Sequence, residues 1–581
     1  MSDDIPVPNK RNNRKRKKSF LKNARKYGKK GYYGRGSQLD SDTYQYFIRI
    51  METYREGFEN EEDKIVFANN VFEQTENQEI NCSSNQVGCR VIEMLLPFAN
   101  DNVMKRYMEA FSNEIRPLCS DRFASHVLEA LVKQTCEKSL KTLGSADTSE
   151  TYTQFTIKIS KFLLNNLEDY MWDTYGNHII RTCLRSLSQV SNDTNGSDIN
   201  FKPLNIPNDY SEIVREYGER IINWPQFNEL CNSELTSGFL QDLLRSLKNV
   251  DVKLMKLYMK KLLKEIFAAK TLNGEQDCID VLPPAFLSTS VLMLLETALQ
   301  LSKPRMFSKF YQNCFAGRLV KLASTRSTNF AVQKLLTCCT EKSDFELIFE
   351  ELVDHLDDII QAGHMGVILC IAQACKRLSS KQGSFVQSMM KILNCSEPEE
   401  RQMHFLLCLC RMVKFEDCKG TESLHKEKLN LHGTLIIQVM LDYNKPIKII
   451  NSLLSLENND LKNLFMNSMG SHITDSFVKG LFVGERSREK LIKKLSGTYQ
   501  DLAASKYGSR SFEALWSVAN LKDKLKIMEE LSYKEGSWSN SEYGKIIAGK
   551  VNIVLFKRNK EDWKNFLNNT KTDKILAEIL K

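Results

Sequence analysis

Nowhere does the 581-residue chain string together the roughly 18 apolar residues that a membrane-spanning helix needs. Its first residues are basic and polar where a secretion leader would be apolar. A membrane partner is not expected, and an intracellular chain is. The sixteen cysteines include close pairs, Cys338 with Cys339 and Cys408 with Cys410, but none has the spacing of a zinc site. They read as reduced thiols filling a core, with no metal and no cofactor. Also missing are HExxH, a glycine-rich phosphate loop ending in lysine, and a GxSxG elbow, so nothing marks an enzyme. Histidine is scarce, at eight residues. A place in the sequence that draws several of those eight is therefore informative.

The net charge of +9 is unevenly distributed. Residues 1–35 hold thirteen Lys or Arg against Asp3 and Asp4, a surplus of eleven that leaves the remaining chain at −2. The stretch "KRNNRKRKKSFLKNARKYGKKGYYGRGS" from Lys10 to Ser37 is too charged and glycine-punctuated to bury a core. Residues 1–38 are therefore expected to form a disordered tail, a nuclear or nucleolar address that also touches RNA phosphates, with Tyr27, Tyr32 and Tyr33 available to stack on bases.

What the rest of the chain has in abundance is one phrase: a small residue, a polar one, a variable one, two apolar ones, then an ionisable or amide residue. It reads "VGCRVIEMLL" at Val87, "FASHVLEALV" at Phe123, "YGNHIIRTCL" at Tyr175, "LTSGFLQDLL" at Leu235, "STNFAVQKLL" at Ser327, "HGTLIIQVML" at His432, "MGSHITDSFV" at Met469 and "YGSRSFEALW" at Tyr507. Fainter copies stand at Ser290, Met365 and Tyr543. Where copies are close they advance by 36 to 38 residues, the period of a helical solenoid. About eleven units are expected over residues 81–558, behind a helical cap at 39–80 and ahead of a capping helix at 559–581. A turn-rich loop is expected to be inserted near 189–210, with shorter insertions at "GSADTSETYT" from Gly144 and "EDCKGTESLHKEKLN" from Glu416.

Within the phrase, Val127 with Leu131 and Leu128 with Val132 make an apolar stripe at helical spacing. Ser125 and Glu129 stand one turn apart beside that stripe, and His126 projects from the same edge. Three of the eight histidines, His126, His178 and His472, share this second slot, and Arg90, Phe330 and Arg510 hold it in other copies. Packing alone does not require a polar residue, then a planar one, then Glu or Gln. A reader of unstacked bases does, because planar groups sandwich bases while polar side chains meet their edges.

With these residues the chain resembles the Pumilio-repeat (Puf) proteins, and among them the nucleolar protein nine family, over about residues 39–581. The resemblance is carried by "LCSDRFASHVLEAL", "QAGHMGVILCIAQACKRL", "GSHITDSF" and "KYGSRSFEALWS". It implies an all-α, curved solenoid of three-helix repeats that binds precursor ribosomal RNA in the nucleolus and serves small-subunit maturation in pre-ribosomal particles, as a monomer. Unit by unit it implies a uracil-reading set at Asn329, Phe330 and Gln333. Guanine-reading sets fall at Ser125, His126 and Glu129 and at Ser509, Arg510 and Glu513, with a looser one at Cys89, Arg90 and Glu93. An adenine-reading pair, Ser237 and Gln241, has Gly238 in the stacking slot. Asn177, His178 and Arg181 depart from the pattern, as do Ser471, His472 and Asp475, and Arg181 is expected to meet phosphate. Thr434 and Gln438 have Leu435 between them, and the copies at Leu292, Val367 and Lys545 lack the triplet, so discontinuous RNA contact is expected. The competing reading is a helical-repeat scaffold for protein partners, whose period is usually about 40 or more.

Overall fold

The computed structural model describes residues 20–568 except 32, 34, 142–145, 191–205, 269–281, 419–427 and 534. Among them there are helices and no strands, the one β-bridge joining Gly36 to Asn85. The all-α class expected from the resemblance, and the helical repeats read from the recurring phrase, are found. The described residues divide into two compact units, 20–302 and 303–568.

Each unit is a stack of the helices that bear the phrase. In the first, Gln86–Leu95, Ala124–Lys141, Thr174–Leu187, Glu234–Val250 and Thr289–Leu301 pack one on the next. In the second the succession is Asn329–Cys338, Met365–Leu378, Leu431–Leu441, Ser471–Lys479, Gly508–Val518 and Glu542–Val551. The apolar pairs of the phrase are the core of each stack: Val127, Leu128, Leu131 and Val132 are fully buried, as are Ile436, Ile437, Met440 and Leu441.

The phrase's small residue is explained by the helix before it. A Cβ on Gly470 would lie 2.0 Å from the Leu464 carbonyl oxygen, six residues back, and one on Gly544 would lie 2.0 Å from that of Trp538. Where the slot holds threonine, the hydroxyl donates to the same carbonyl: Thr236 to Leu230 at 2.7 Å, and Thr328 to Leu322 at 2.8 Å. Helix starts are fixed just upstream. Asn85, Asp121, Asp173 and Asn467 each accept two backbone N–H bonds at the turn into the phrase, and Ser505 and Ser541 each accept one.

Three sequence expectations need correction. The tail does not extend to residue 38: residues 20–28 are helical, Leu21 and Ala24 are buried, and the Tyr44 hydroxyl donates to the Ala24 carbonyl at 3.2 Å. Asn85 then ties down the strap that follows, its Nδ2 donating to the Tyr33 and Ser37 carbonyls at 2.9 and 2.8 Å. Charge counting missed this because Leu21, Ala24 and Gly28 fall on one helical face, and that face alone is buried. Second, most of "GSADTSETYT" belongs to the helix Ala146–Asn165, whose Tyr152 is buried and donates to Asp101 at 2.6 Å. Third, the copy at Met365 is out of register by two. Burial of Val367, Ile368, Ile371 and Ala372 puts His364 in the small slot and Gly366 in the stacking slot. Residues 191–205 of the expected insertion lie outside the described residues, as do 1–19 of the tail and 569–581 of the final helix.

Candidate nucleic-acid interface

The three slots of the phrase differ in exposure because they point in different directions around the helix. The second slot points outward. Arg90 and His178 are exposed, His126, Arg510 and Met293 are about half exposed, and Phe330, at 63%, shows most of its ring to solvent. His472 is intermediate. Because Gln86–Leu95, Ala124–Lys141 and Thr174–Leu187 are consecutive layers, Arg90, His126 and His178 form a row of planar groups.

The first slot points inward, against expectation. Ser125, Asn177, Ser237, Asn329 and Ser471 are buried, and so is Cys89, whose thiol donates to the Phe123 carbonyl at 3.1 Å and is pushed up to about 12 by burial. Only Ser509 among the assigned serines is partly exposed, its hydroxyl donating to the Lys506 carbonyl at 3.0 Å. None of these serines is a helix cap, since the caps lie four residues earlier at Asp121, Asn467 and Ser505.

The polar residues flanking the second slot are spent inside the protein in two of the assigned sets. Asn177 donates to the Met171 carbonyl at 2.7 Å with no exposed surface, so its side chain is not presented to a base. Ser237 donates to the Ser290 carbonyl at 2.7 Å, Gln241 donates to Ser237 at 3.4 Å, and Thr297 donates to Gln241 at 3.2 Å. That buried chain holds two layers together and leaves no edge for adenine. Arg181 likewise does not reach out to phosphate: its Nε donates to Asp242 at 2.7 Å, and Asp242 also accepts from Arg245 at 3.0 Å. Its guanidinium lies over Gly238, where a Cβ would stand 2.8 Å from Nη1. The missing stacker of the fourth unit is thus covered by its neighbour.

The third slot is mixed. Glu93 is exposed. Glu129 accepts from Thr182 at 3.0 Å and faces His126 Nδ1 at 3.8 Å, which fixes its carboxylate at the rim of a cleft of about 590 Å³ also lined by Glu93, Lys133 and Arg185. Gln333 donates to Asn329 at 2.9 Å and lies over Gly366, whose Cβ would be 2.8 Å from its amide. Asp475 pairs with Arg510, Nε to Oδ2 2.7 Å, and Glu513 pairs with Lys550 at 2.8 Å. Arg510 is therefore held flat across the joint between two layers.

Sequence reasoning missed Phe20, whose ring centre is 3.7 Å from the Arg90 guanidinium carbon, although the spacing of Phe20, Leu21 and Ala24 was a usable signal. Among the described residues no group of side chains could hold a metal ion, and no helix is long and apolar enough to cross a membrane.

Comparison with known proteins adds a family. Residues 77–546 match the NOP9-like PUF repeat domain. Nucleolar protein 9 of Homo sapiens is 24% identical over 90% of this chain and 88% of its own length, and Pumilio homolog 23 of Arabidopsis thaliana is 22% identical over 91% and 73%. The solved structure of APUM23 with GGAAUUGACGG superposes with a TM-score of 0.70 at 20% identity, covering 91% of this chain and 99% of that one. The phrase, its caps and its stacked helices are those of a repeat array, and the chain belongs to the NOP9-like PUF repeat family.

Proposed function

We propose that this chain is an RNA-binding Puf-like repeat protein of the nucleolus that holds single-stranded stretches of precursor ribosomal RNA and acts, as a monomer within pre-ribosomal particles, in small-subunit 18S rRNA maturation. The observation that carries this reading is the row Arg90, His126 and His178, three planar side chains exposed in one slot of successive packed layers. Bases slide between such groups, and Glu129, held by Thr182, offers a fixed acceptor to a base edge. Support also comes from the relatives named Nucleolar protein 9 and from the fold shared with APUM23, solved with RNA. The protein's role in this reading is binding, with no reaction assigned to it.

Base contact in this reading is discontinuous: the first three layers, the Asn329 unit with Phe330 and Gln333, and the pair at His472 and Arg510. The test is titration of labelled single-stranded GGAAUUGACGG at fixed salt. His126→Ala and His178→Ala should each weaken binding by roughly 1–3 kcal/mol. The control is Lys253→Ala, which removes an exposed cation from the helix Val252–Leu262, outside the phrase. A control that loses as much as the histidine variants would reduce the slots to surface pattern and favour the protein-scaffold reading.

A further inference from the structure

The N-terminal segment docks where the row of planar groups begins. The helix at 20–28 buries Leu21, Ala24 and Gly28 against the cap helix Ser41–Glu56, with Tyr44 and Gln45 beside Gly28 and an ion pair between Arg25 and Glu52. The cap helix packs on Gln86–Leu95, which packs in turn on Ala124–Lys141. Phe20 therefore belongs to the cap side of Arg90, and His126 to the next layer. Arg55 of the cap helix also feels the charge of Arg90, which places that guanidinium near the cap. The opposite face of the 20–28 helix displays Lys22, Lys26 and Tyr27, and exposed Lys29 and Lys30 follow.

A guanidinium lying flat on a ring loses the freedom to turn, and its second face is then ready to stack. Resting on the RNA-binding reading, we propose that residues 20–30 are a docked, non-repeat extension of the RNA surface: Phe20 fixes Arg90 as the end plate of the base row, and the outward lysines take the phosphates of the nucleotides beyond it. Phe20 is a positioning residue acting through Arg90. The ligand is single-stranded RNA running past the first layer.

The experiment uses the full chain and GGAAUUGACGG probes carrying a short uridine run at one end or the other. Phe20→Leu keeps an apolar anchor but removes the ring face, and should weaken binding by roughly 2- to 30-fold with unchanged melting. Arg90→Ala should weaken it as well, the double variant should be no worse than the weaker single, and Phe20→Trp should restore wild-type affinity. Lys22→Glu with Lys26→Glu should abolish the advantage of the one extension that tightens binding, and should lower the salt slope by about one per phosphate lost. Tighter binding by Phe20→Leu would mean that the ring is a plug displaced by RNA, and full additivity with Arg90→Ala would mean that it acts elsewhere. Either result, or no effect at all, overturns the proposal while His126→Ala still reports on base stacking. If His126→Ala is silent too, the RNA reading itself has failed.

Discussion

Adjacent residues in this chain face opposite fates, and Asn177 beside His178 shows it best. Asn177 is wholly enclosed and satisfies the Met171 carbonyl, whereas His178 stands in solvent. Asn177→Ala should cost about 1–3 kcal/mol of stability by stranding a buried acceptor, measured by chemical denaturation. His178→Ala should leave that stability unchanged. A slot's residue type was legible in the sequence, but its direction was not, because Ser and Asn suit a base edge and a backbone carbonyl equally well. The thiols follow the same logic. Burial pushes Cys89, Cys119 and Cys183 up to about 12, against about 8.5 in an unfolded chain. The folded state holds these protons after the unfolded chain has released its own. The stability they contribute is complete below about pH 8.5 and falls as pH rises from there towards 12. The melting temperature should decline over that alkaline range, and thiol reagents should report these cysteines only after denaturation.

Helices here are placed by their beginnings. Many phrases enter through a side-chain cap, as at Asn85, Asp173 and Asn467, and turn with the small slot against a carbonyl six residues back, as at Gly470 and Gly544, before presenting their apolar pairs. Gly470→Ala puts a methyl 2.0 Å from the Leu464 oxygen, so it should destabilise by about 1–3 kcal/mol or more, whereas Asn467→Ala removes a cap worth about 1 kcal/mol. Thermal melts of the two variants would rank them. The units were legible because the apolar pairs and the small residue obey strict spacing. The copy at Met365 was misread because glycine serves two purposes in this family of helices. At Gly470 it admits a backbone carbonyl, and at Gly366 it admits the side chain of the previous layer. Only the burial of Val367 and Ile368, rather than the letters, tells the two apart.

At the scale of the whole chain, the excess positive charge divides into two parts that the sequence alone ran together. Seven of the thirteen Lys and Arg in residues 1–35 precede residue 20, and the other six sit on the docked segment or the strap after it. Deleting 1–19 should abolish nucleolar accumulation and leave melting unchanged, whereas deleting 1–38 should also lower the melting temperature by removing Leu21 and Ala24 from the core. Imaging of tagged chains and calorimetry would separate the two effects. A different consequence follows from the guanidinium of Arg181 resting over Gly238 and the amide of Gln333 resting over Gly366. Repeat proteins invite cut-and-paste engineering, in which one repeat is exchanged for another to rewrite the RNA that is read. At these two joints the exchangeable part is a pair, because the face of one repeat is furnished by the repeat before it. A graft that moved the Gly238 repeat without Arg181 would import a bare gap where the covering guanidinium had been.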